Sequence, residues 1–463
     1  METKSRGNFK GSVGFVLAAA GSAVGLGNIW RFPYLAAKDK GGVFILCYII
    51  LALTFGFTLL TTEVALGRKT KQGPLTAYKM VNKKFGFMGT LATVVPVIIL
   101  PYYCTIGGWV LKYCAGFITN KGTQMAADGY FGSYISSQWE PIVWLIIFLF
   151  ATALVVIGGV NKGIEKTSRV LMPILLLLII GISIYSLTLS YTDSDGVTRT
   201  GLQGMALYLV PNFSDISLKE FFIILMDATG QLFYSISVSM GIMVAYGSYV
   251  DDKNNLMKSI NQIEIFDTVV ALLAGLMIVP AVFVFMGQEG MSAGPGLMFV
   301  SLPKVFANMG TVGTVIGAAF FVMVAFAAVT SSVSVMEAIV SSIIDKYHMS
   351  RLKASLLVLA YAVIAGVIVC LGYNKFYFEL TLPNGTVGQI LDIMDYVSNN
   401  IFMPLLAVFT CILFGWITKP KYIIDEVTKN GEKFGRKGIY TVMIRYVAPV
   451  FLTLLLFQAF NII

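Results

Sequence analysis

Long apolar runs, each ended by a short polar or glycine-rich stretch, recur along the whole chain near residues 11–36, 41–67, 88–118, 141–158, 167–190, 218–249, 260–286, 309–343, 352–371, 388–417 and 440–461. Each is long enough to cross about 30 Å of hydrocarbon as a helix. A backbone in lipid must satisfy its own polar groups, so such runs read as helices. The pattern predicts an all-α membrane protein of eleven transmembrane spans. The longest polar connectors, 119–140 and 191–217, are rich in Gly, Asp and Ser. They separate spans, not domains, and residues 1–463 read as a single transmembrane domain.

Composition agrees. Hydrophobic residues make up 57% of the chain and charged ones 12%, with a mean hydropathy of +0.80, so lipid is the main solvent. The 33 Lys and Arg exceed the 24 Asp and Glu. Most of them fall in connectors that a cytoplasmic N-terminus would place on the inner side. The positive-inside rule then gives a multi-pass protein of the cell (inner or plasma) membrane with its C-terminus outside, and accounts for the basic surplus without nucleic acid. The basic stretch Met1–Lys10 leads into an apolar run that contains Arg31 and lacks a small-residue cleavage site, so no removable signal peptide is expected. Cys47, Cys104, Cys114, Cys370 and Cys411 sit mostly in apolar runs and are odd in number, which reads as buried hydrophobes and not a disulfide framework. One histidine, His348, and no cysteine pair give transition-metal chemistry no support. No Gly-Lys-Ser/Thr phosphate loop occurs, which disfavours transport driven by ATP hydrolysis in this chain.

Span 1 carries the first unusual chemistry: Gly21-Ser22-Ala23-Val24-Gly25-Leu26-Gly27-Asn28-Ile29-Trp30-Arg31-Phe32-Pro33. Each glycine costs about 1 kcal/mol in a helix relative to Ala. A small-residue packing face is one use of such a string. A charged residue inside a span costs about 2.5–3.5 kcal/mol and is a functional candidate by default, so Asn28 and Arg31 favour a broken helix lining a cavity. Span 6 has a second interruption, Gly230-Gln231-Leu232-Phe233-Tyr234-Ser235-Ile236-Ser237-Val238-Ser239-Met240-Gly241. Paired breaks in corresponding helices of two halves point to a transporter site, where half-helix ends attract a carboxylate and freed carbonyls hold a cation. Span 8 offers Ala327-Ala328-Val329-Thr330-Ser331; such hydroxyls either bond back to their own helix or supply oxygens to a hard cation. Span 7 spaces Asn261, Glu264 and Asp267 by three, within one broad face. The two acids sit either near the span 1 site or in water at the inner mouth.

On Gly21 to Pro33, Gln231 to Met240 and Ala327 to Ser331, the chain resembles the neurotransmitter:sodium symporter family, and its eleven spans are similar to a bacterial amino-acid transporter subgroup of that family. The resemblance implies the LeuT-type fold: a 5+5 inverted repeat, spans 1–5 over roughly 11–190 and spans 6–10 over roughly 218–417, with unwound helices 1 and 6, plus one extra helix at roughly 440–461. It implies two sodium ions. One would lie among the carbonyls of Gly21, Val24 and Ala327 and the hydroxyls of Thr330 and Ser331. The other would take the Ala23 carbonyl, Asn28, Ser235 and a span 7 oxygen, with Asp267 as the acid beside it, and would be completed by the substrate carboxylate. A carboxylate built in at this place implies that chloride is not required. For an amino-acid substrate the resemblance implies that the Leu26 and Gly27 amides and the Tyr103 hydroxyl hold the carboxylate, and that Ile99, Tyr234, Ser237, Met240 and Val335 line the side-chain pocket, with Ala23 and Ser235 shared with the ion.

Amine transporters of that family place an Asp where this chain has Gly25, so the resemblance favours an amino acid over a monoamine. It further implies an outer gate of Arg31 with Asp395 and an inner gate of Arg6 with Asp345, with Phe9 and Tyr249 packed beside it. Glu63 and Asp227 also fit family patterns. The expected activity is sodium-coupled symport of a small neutral amino acid, hydrophobic or aromatic in side chain, by alternating access and without enzymatic chemistry. A transporter of another small amine or zwitterion, a channel, or a sensor on the same scaffold are the alternatives. The sequence leaves oligomeric state open.

Overall fold

The structure is a computed structural model, which describes residues 7–193, 196–214, 216–291 and 294–462. Inner and outer below follow the positive-inside assignment. Among the described residues nine helices are long and apolar enough to cross a membrane: span 2 (Gly42–Thr70), span 3 (Lys83–Ile118), span 4 (Glu140–Ile157), span 5 (Val160–Leu187), span 7 (Leu256–Met286), span 8 (Gly310–Tyr347), span 9 (Arg351–Leu371), span 10 (Ile390–Ile417) and span 11 (Lys437–Ala459). Span 1 is a bent pair, Ser12–Ala23 and Gly27–Lys38, turned by 55° at the glycine-rich break. Span 6 is also in two pieces, Leu218–Ser235 and Ile242–Ser248. Both predicted interruptions are therefore present. The only strands among the described residues are two short antiparallel hairpins in outer connectors, Ser190–Thr192 with Thr198–Thr200 and Leu380–Thr381 with Val387–Gly388.

Local chemistry explains the two broken helices. The outer piece of span 6 starts at a capping box, in which the Ser217 hydroxyl accepts from the Glu220 amide and Glu220 accepts from the Ser217 amide. It ends where Ser237 and Ser239 turn left-handed, with φ of 53° and 59°. Such angles cost a non-glycine residue stability and persist only where the surroundings hold them. Here the Ser237 hydroxyl donates to the Ser22 carbonyl at 2.9 Å, and the Ser239 amide donates to Glu63 at 2.7 Å. In span 1 the helix stops at Ala23, Val24 is extended, and the Asn28 side chain accepts from the Gly25 amide at 3.2 Å. Part of the backbone stranded at the breaks is thus paired by protein, as a lipid surrounding requires.

The inner piece of span 6 lies directly on span 2. A β-carbon at Gly67 would strike the Val244 carbonyl, and one at Gly247 would strike the Val64 carbonyl. The backbones meet with no side chain between them. One continuous apolar core joins the spans. Large apolar side chains such as Ile50, Leu154, Leu177 and Ile364 point outward, as lipid-facing residues do.

Candidate transport site

The breaks in spans 1 and 6 face each other across a cavity of about 40 Å³. Its walls include every residue that the sequence nominated for substrate: Ala23, Leu26, Gly27, Ile99, Tyr103, Tyr234, Ser235, Ser237, Met240 and Val335. Ser22 and Ile242 also line it and were not foreseen. Its volume is a few times the space of one water. The Tyr103 hydroxyl is buried without a hydrogen-bond partner among the described residues, a cost of about 1–3 kcal/mol unless something in the cavity accepts or donates. Gly25 is tightly placed: a β-carbon there would lie 3.0 Å from the Ser331 hydroxyl and 3.3 Å from that of Tyr103, so these side-chain ends would have to shift.

On one side of the cavity the Ser331 hydroxyl of span 8 lies 3.4 Å from the Gly21 carbonyl, 3.2 Å from that of Ser22 and 3.4 Å from that of Val24. One O–H can donate to one of these oxygens at a time. Thr330 is alongside, its hydroxyl 3.1 Å from the Ala327 carbonyl. Several oxygens converge with too few donors between them, a set that suits a hard monovalent cation.

On the other side Asp267 of span 7 is fully buried. It accepts from the Asn28 amide nitrogen at 2.9 Å, from the Ser235 hydroxyl at 2.9 and 3.1 Å, and from the Tyr48 hydroxyl at 3.4 Å. All three donors are neutral, and no Lys or Arg pairs with it among the described residues. A buried carboxylate without a counter-charge costs several kcal/mol, and a cation held with Asn28 and Ser235 offsets that cost. Tyr48 was not anticipated. Glu264 and Asn261, about one and two turns away, face elsewhere: Arg436 pairs with Glu264 at 2.7 and 2.9 Å and donates to Asn261 at 2.6 Å. The alternative that put both span 7 acids in water is overturned, because Glu264 is buried in this ion pair and Asp267 in the site.

The expected outer gate differs from its outline. Arg31 and Asp395 form no ion pair. The Arg31 guanidinium stands 5.8 Å above the Tyr234 ring, and Asp395 is held by the Asn399 amide at 2.6 Å. Each charge has another partner: Arg31 faces the Tyr234 ring at the edge of an outer cavity of about 570 Å³, and the Asn399 amide takes the Asp395 carboxylate. At the inner side Arg6 lies outside the described residues, and Asp345 accepts from the Gly73 amide. Tyr249 does more than pack. Its carbonyl accepts from the Phe9 amide at 3.1 Å, the Phe9 ring meets it edge-on, and its hydroxyl donates to Glu337 at 2.6 Å. Glu337, fully buried in span 8, is gripped by both arms of Arg351 at 2.7 and 2.9 Å. Sequence reasoning missed this pair, although a lone acid in an apolar span is a visible signal.

Below the cavity the inner end of span 2 is tied down as well. Arg68, fully buried, donates to Glu426 at 2.6 Å and to the Asn254 carbonyl at 2.9 Å. Lys71 pairs with Asp252 at 2.8 Å, and Lys429 joins the same carboxylate at 3.1 Å.

Comparison with known proteins agrees with this geometry. The model of the sodium:neurotransmitter symporter family matches residues 6–127 and 131–463. The chain is 33% identical to the uncharacterised sodium-dependent transporter YhdH of Bacillus subtilis (strain 168), covering 95% of this chain and 94% of that one. It is 26% identical to the human sodium- and chloride-dependent GABA transporter 2, covering 92% of this chain and 75% of that one. Among solved structures it superposes on MhsT in complex with L-phenylalanine with a TM-score of 0.85 at 30% identity, over 98% of this chain and all of that one. Two facing broken helices, a cavity between them and oxygen clusters on either flank thus sit in a multi-pass chain that belongs to the sodium:neurotransmitter symporter family, a family of sodium-coupled transporters and not of enzymes.

Proposed function

We propose that the protein is a symporter that carries a small neutral amino acid, hydrophobic or aromatic in side chain, inward with two sodium ions by alternating access. The observation that carries this reading is Asp267: a buried carboxylate bonded only to neutral groups, beside the cavity and shared with Asn28 and Ser235. One sodium would sit there with the Ala23 carbonyl and the substrate carboxylate, and a second among Gly21, Val24, Ala327, Thr330 and Ser331. The Leu26 and Gly27 amides and Tyr103 would hold the carboxylate of the amino acid. Ion and substrate then stabilise each other, which is coupling by shared binding energy. The membrane potential adds about 2.3 kcal/mol per charge per 100 mV.

Gly25 supports an amino acid over a monoamine, since no protein carboxylate faces the cavity at that position to take a lone amine. The L-phenylalanine bound in MhsT supports it too. Met240, Ile99 and Val335 make the side-chain wall apolar. Asp267 supplies a fixed negative charge next to the ion, so transport is proposed to run without chloride. The N-terminus would lie in the cytoplasm and the C-terminus outside.

Uptake of labelled amino acids into proteoliposomes tests this reading, with and without an inward sodium gradient and with chloride replaced by gluconate. Sodium-driven, chloride-independent accumulation of intact neutral amino acid is expected. Uptake indifferent to the sodium gradient would overturn the reading, and flux beyond carrier rates in electrical recording would identify a channel.

A further inference from the structure

Among the described residues, one side chain supplies every hydrogen bond from another element to residues 260–266 of span 7, the stretch just inward of Asp267. Arg436 is the last residue before the helix Lys437–Val442 that opens span 11. One arm of its guanidinium donates to Glu264 at 2.9 Å and to the Leu53 carbonyl of span 2 at 3.0 Å. The other arm donates to Glu264 at 2.7 Å and to the Asn261 side chain at 2.6 Å. The guanidinium carbon also lies 3.5 Å from the centre of the Phe57 ring, again on span 2.

Neutralising Glu264 would need only its two oxygens. Asn261 and the Leu53 carbonyl are neutral, so the fork does more than balance a charge: it joins two spans. Leu53 lies in a π-helical turn, Ala52–Gly56, an uncommon widening that recurs at functional sites. The backbone that presents Arg436 is itself pinned. Phe434 packs against Phe57 and Tyr440 with ring centres at 6.0 and 5.5 Å, and the Asn430 side chain donates to the Asp252 carbonyl at 2.7 Å.

Successive helical residues are about 100° apart, so Glu264 and Asn261 point about 60° and about 120° around span 7 from Asp267. Tyr48 of span 2 meets Asp267 at 3.4 Å, a long hydrogen bond that by itself fixes neither the rotation nor the height of the helix. Arg436 adds anchors in two further directions and ties them to Leu53, inward of Tyr48 on the same span. We infer that Arg436 is a positioning residue for the ion site. It does not line the cavity; it acts through Glu264 and Asn261, setting span 7 against span 2 so that the Asp267 carboxylate stays on Asn28 and Ser235. Partners one layer out from a cation govern its affinity because a displaced ligand loses the ion. The inference rests on the reading of Asp267 as a sodium ligand.

The apparent sodium dissociation constant of purified full-length protein, taken from the rise of melting temperature with sodium at fixed ionic strength, tests it without any transported solute. Arg436→Lys keeps the charge but loses the fork, and is expected to weaken sodium by about tenfold. A constant equal to that of the unaltered protein overturns the proposal, whatever happens to the melting temperature without sodium. Combined with Asp267→Asn, Arg436→Lys is expected to add no further loss, because it acts through that carboxylate. Combined with Ser331→Ala its loss is expected to remain in full, because Ser331 belongs to the other ion cluster. Equal losses in the two backgrounds overturn the proposal in favour of a general loosening of the fold. If Arg436→Lys fails to fold, Asn261→Ala keeps the ion pair and removes one anchor; about a fivefold loss is expected, the effect of one net hydrogen bond, and no loss there overturns the proposal. If Asp267→Asn alone leaves sodium binding unchanged, the sodium reading of Asp267 falls and this inference with it, whereas an unchanged constant in Arg436→Lys beside a shifted one in Asp267→Asn overturns the inference alone.

Discussion

Asn28 and Asp267, 239 positions apart, meet at 2.9 Å across the break in span 1. The amide holds the carboxylate without neutralising it, which leaves the charge for an ion. Asp267→Asn keeps the shape and removes the charge. It is expected to raise the sodium concentration for half-maximal uptake by at least about tenfold, the equivalent of about 1.4 kcal/mol. An unchanged sodium curve would show that the carboxylate plays no part in ion binding.

Ser331 touches three span 1 carbonyls at once. Ser331→Ala is expected to shift the same sodium curve by about tenfold and to leave substrate selectivity in place, since the lost oxygen belongs to the ion cluster. Competition assays with a panel of amino acids, run at saturating sodium, check the second half of that expectation.

Removing the Tyr103 hydroxyl takes away a buried group that has no hydrogen-bond partner among the described residues. Tyr103→Phe is therefore expected to leave thermal stability equal or slightly higher. Substrate binding should weaken by about 1.5–3 kcal/mol, the range for a hydrogen bond to a charged group. Scintillation proximity binding alongside melting curves separates the two effects. A variant that loses stability and keeps affinity would place the hydroxyl in packing.

The Glu337–Arg351 pair anchors Tyr249 at the inner side. Arg351→Ala leaves a fully buried carboxylate facing one tyrosine hydroxyl, which should cost about 3 kcal/mol. The melting temperature in detergent is expected to fall, and cysteine reporters below Tyr249 should become more accessible from the inside. The double variant with Glu337→Gln should recover much of the lost stability; a double variant no more stable than the single one would mean that the two residues do not act as a pair.

Asp252 gives a pH-dependent contribution of known sign. Burial pushes its carboxyl up, but Lys71 and Lys429 outweigh that and hold it below the usual carboxylate range. A depressed acid stabilises the fold above its unfolded value of about 3.9 and loses that contribution as pH falls through the folded value. The stability gap between the protein and Asp252→Asn should stay constant from neutrality to about pH 5 and close below about pH 4. The gap itself should be small, because these side chains are largely in water.

Much of this site was legible because its chemistry is local. The run from Gly21 to Pro33 carries the break, Asn28 and the three carbonyls of Gly21, Ala23 and Val24 within one stretch, and glycine density together with polar residues in an apolar span is a signal that needs no partner. The same holds for the break at Ser235 to Met240, whereas the role of Thr330 with Ser331 came only through the family resemblance. What stayed hidden depends on tertiary pairing. Nothing near Glu264 in sequence announces Arg436, 172 positions on. Tyr48 looks like any apolar-span tyrosine until span 7 is laid against it. Ser22 and Ile242 enter the cavity because of the angles at which the two helices break, which periodicity does not specify. Glu337 differs, since the acid itself was conspicuous and only its role required Arg351. The Arg31 gate was named from the family resemblance, and nothing near Arg31 in sequence announces the Tyr234 ring that its guanidinium faces.

The bare backbone seam between Gly67 and Gly247 has a consequence for heredity. At these positions even alanine would force two helices apart, so neither can drift by single steps, and no substitution at one makes room at the other. In a saturation mutagenesis library selected for uptake, both columns should be nearly empty apart from glycine, however freely the lipid-facing positions around them vary. The seam works as a weld, and lineages that keep the transporter must inherit it whole.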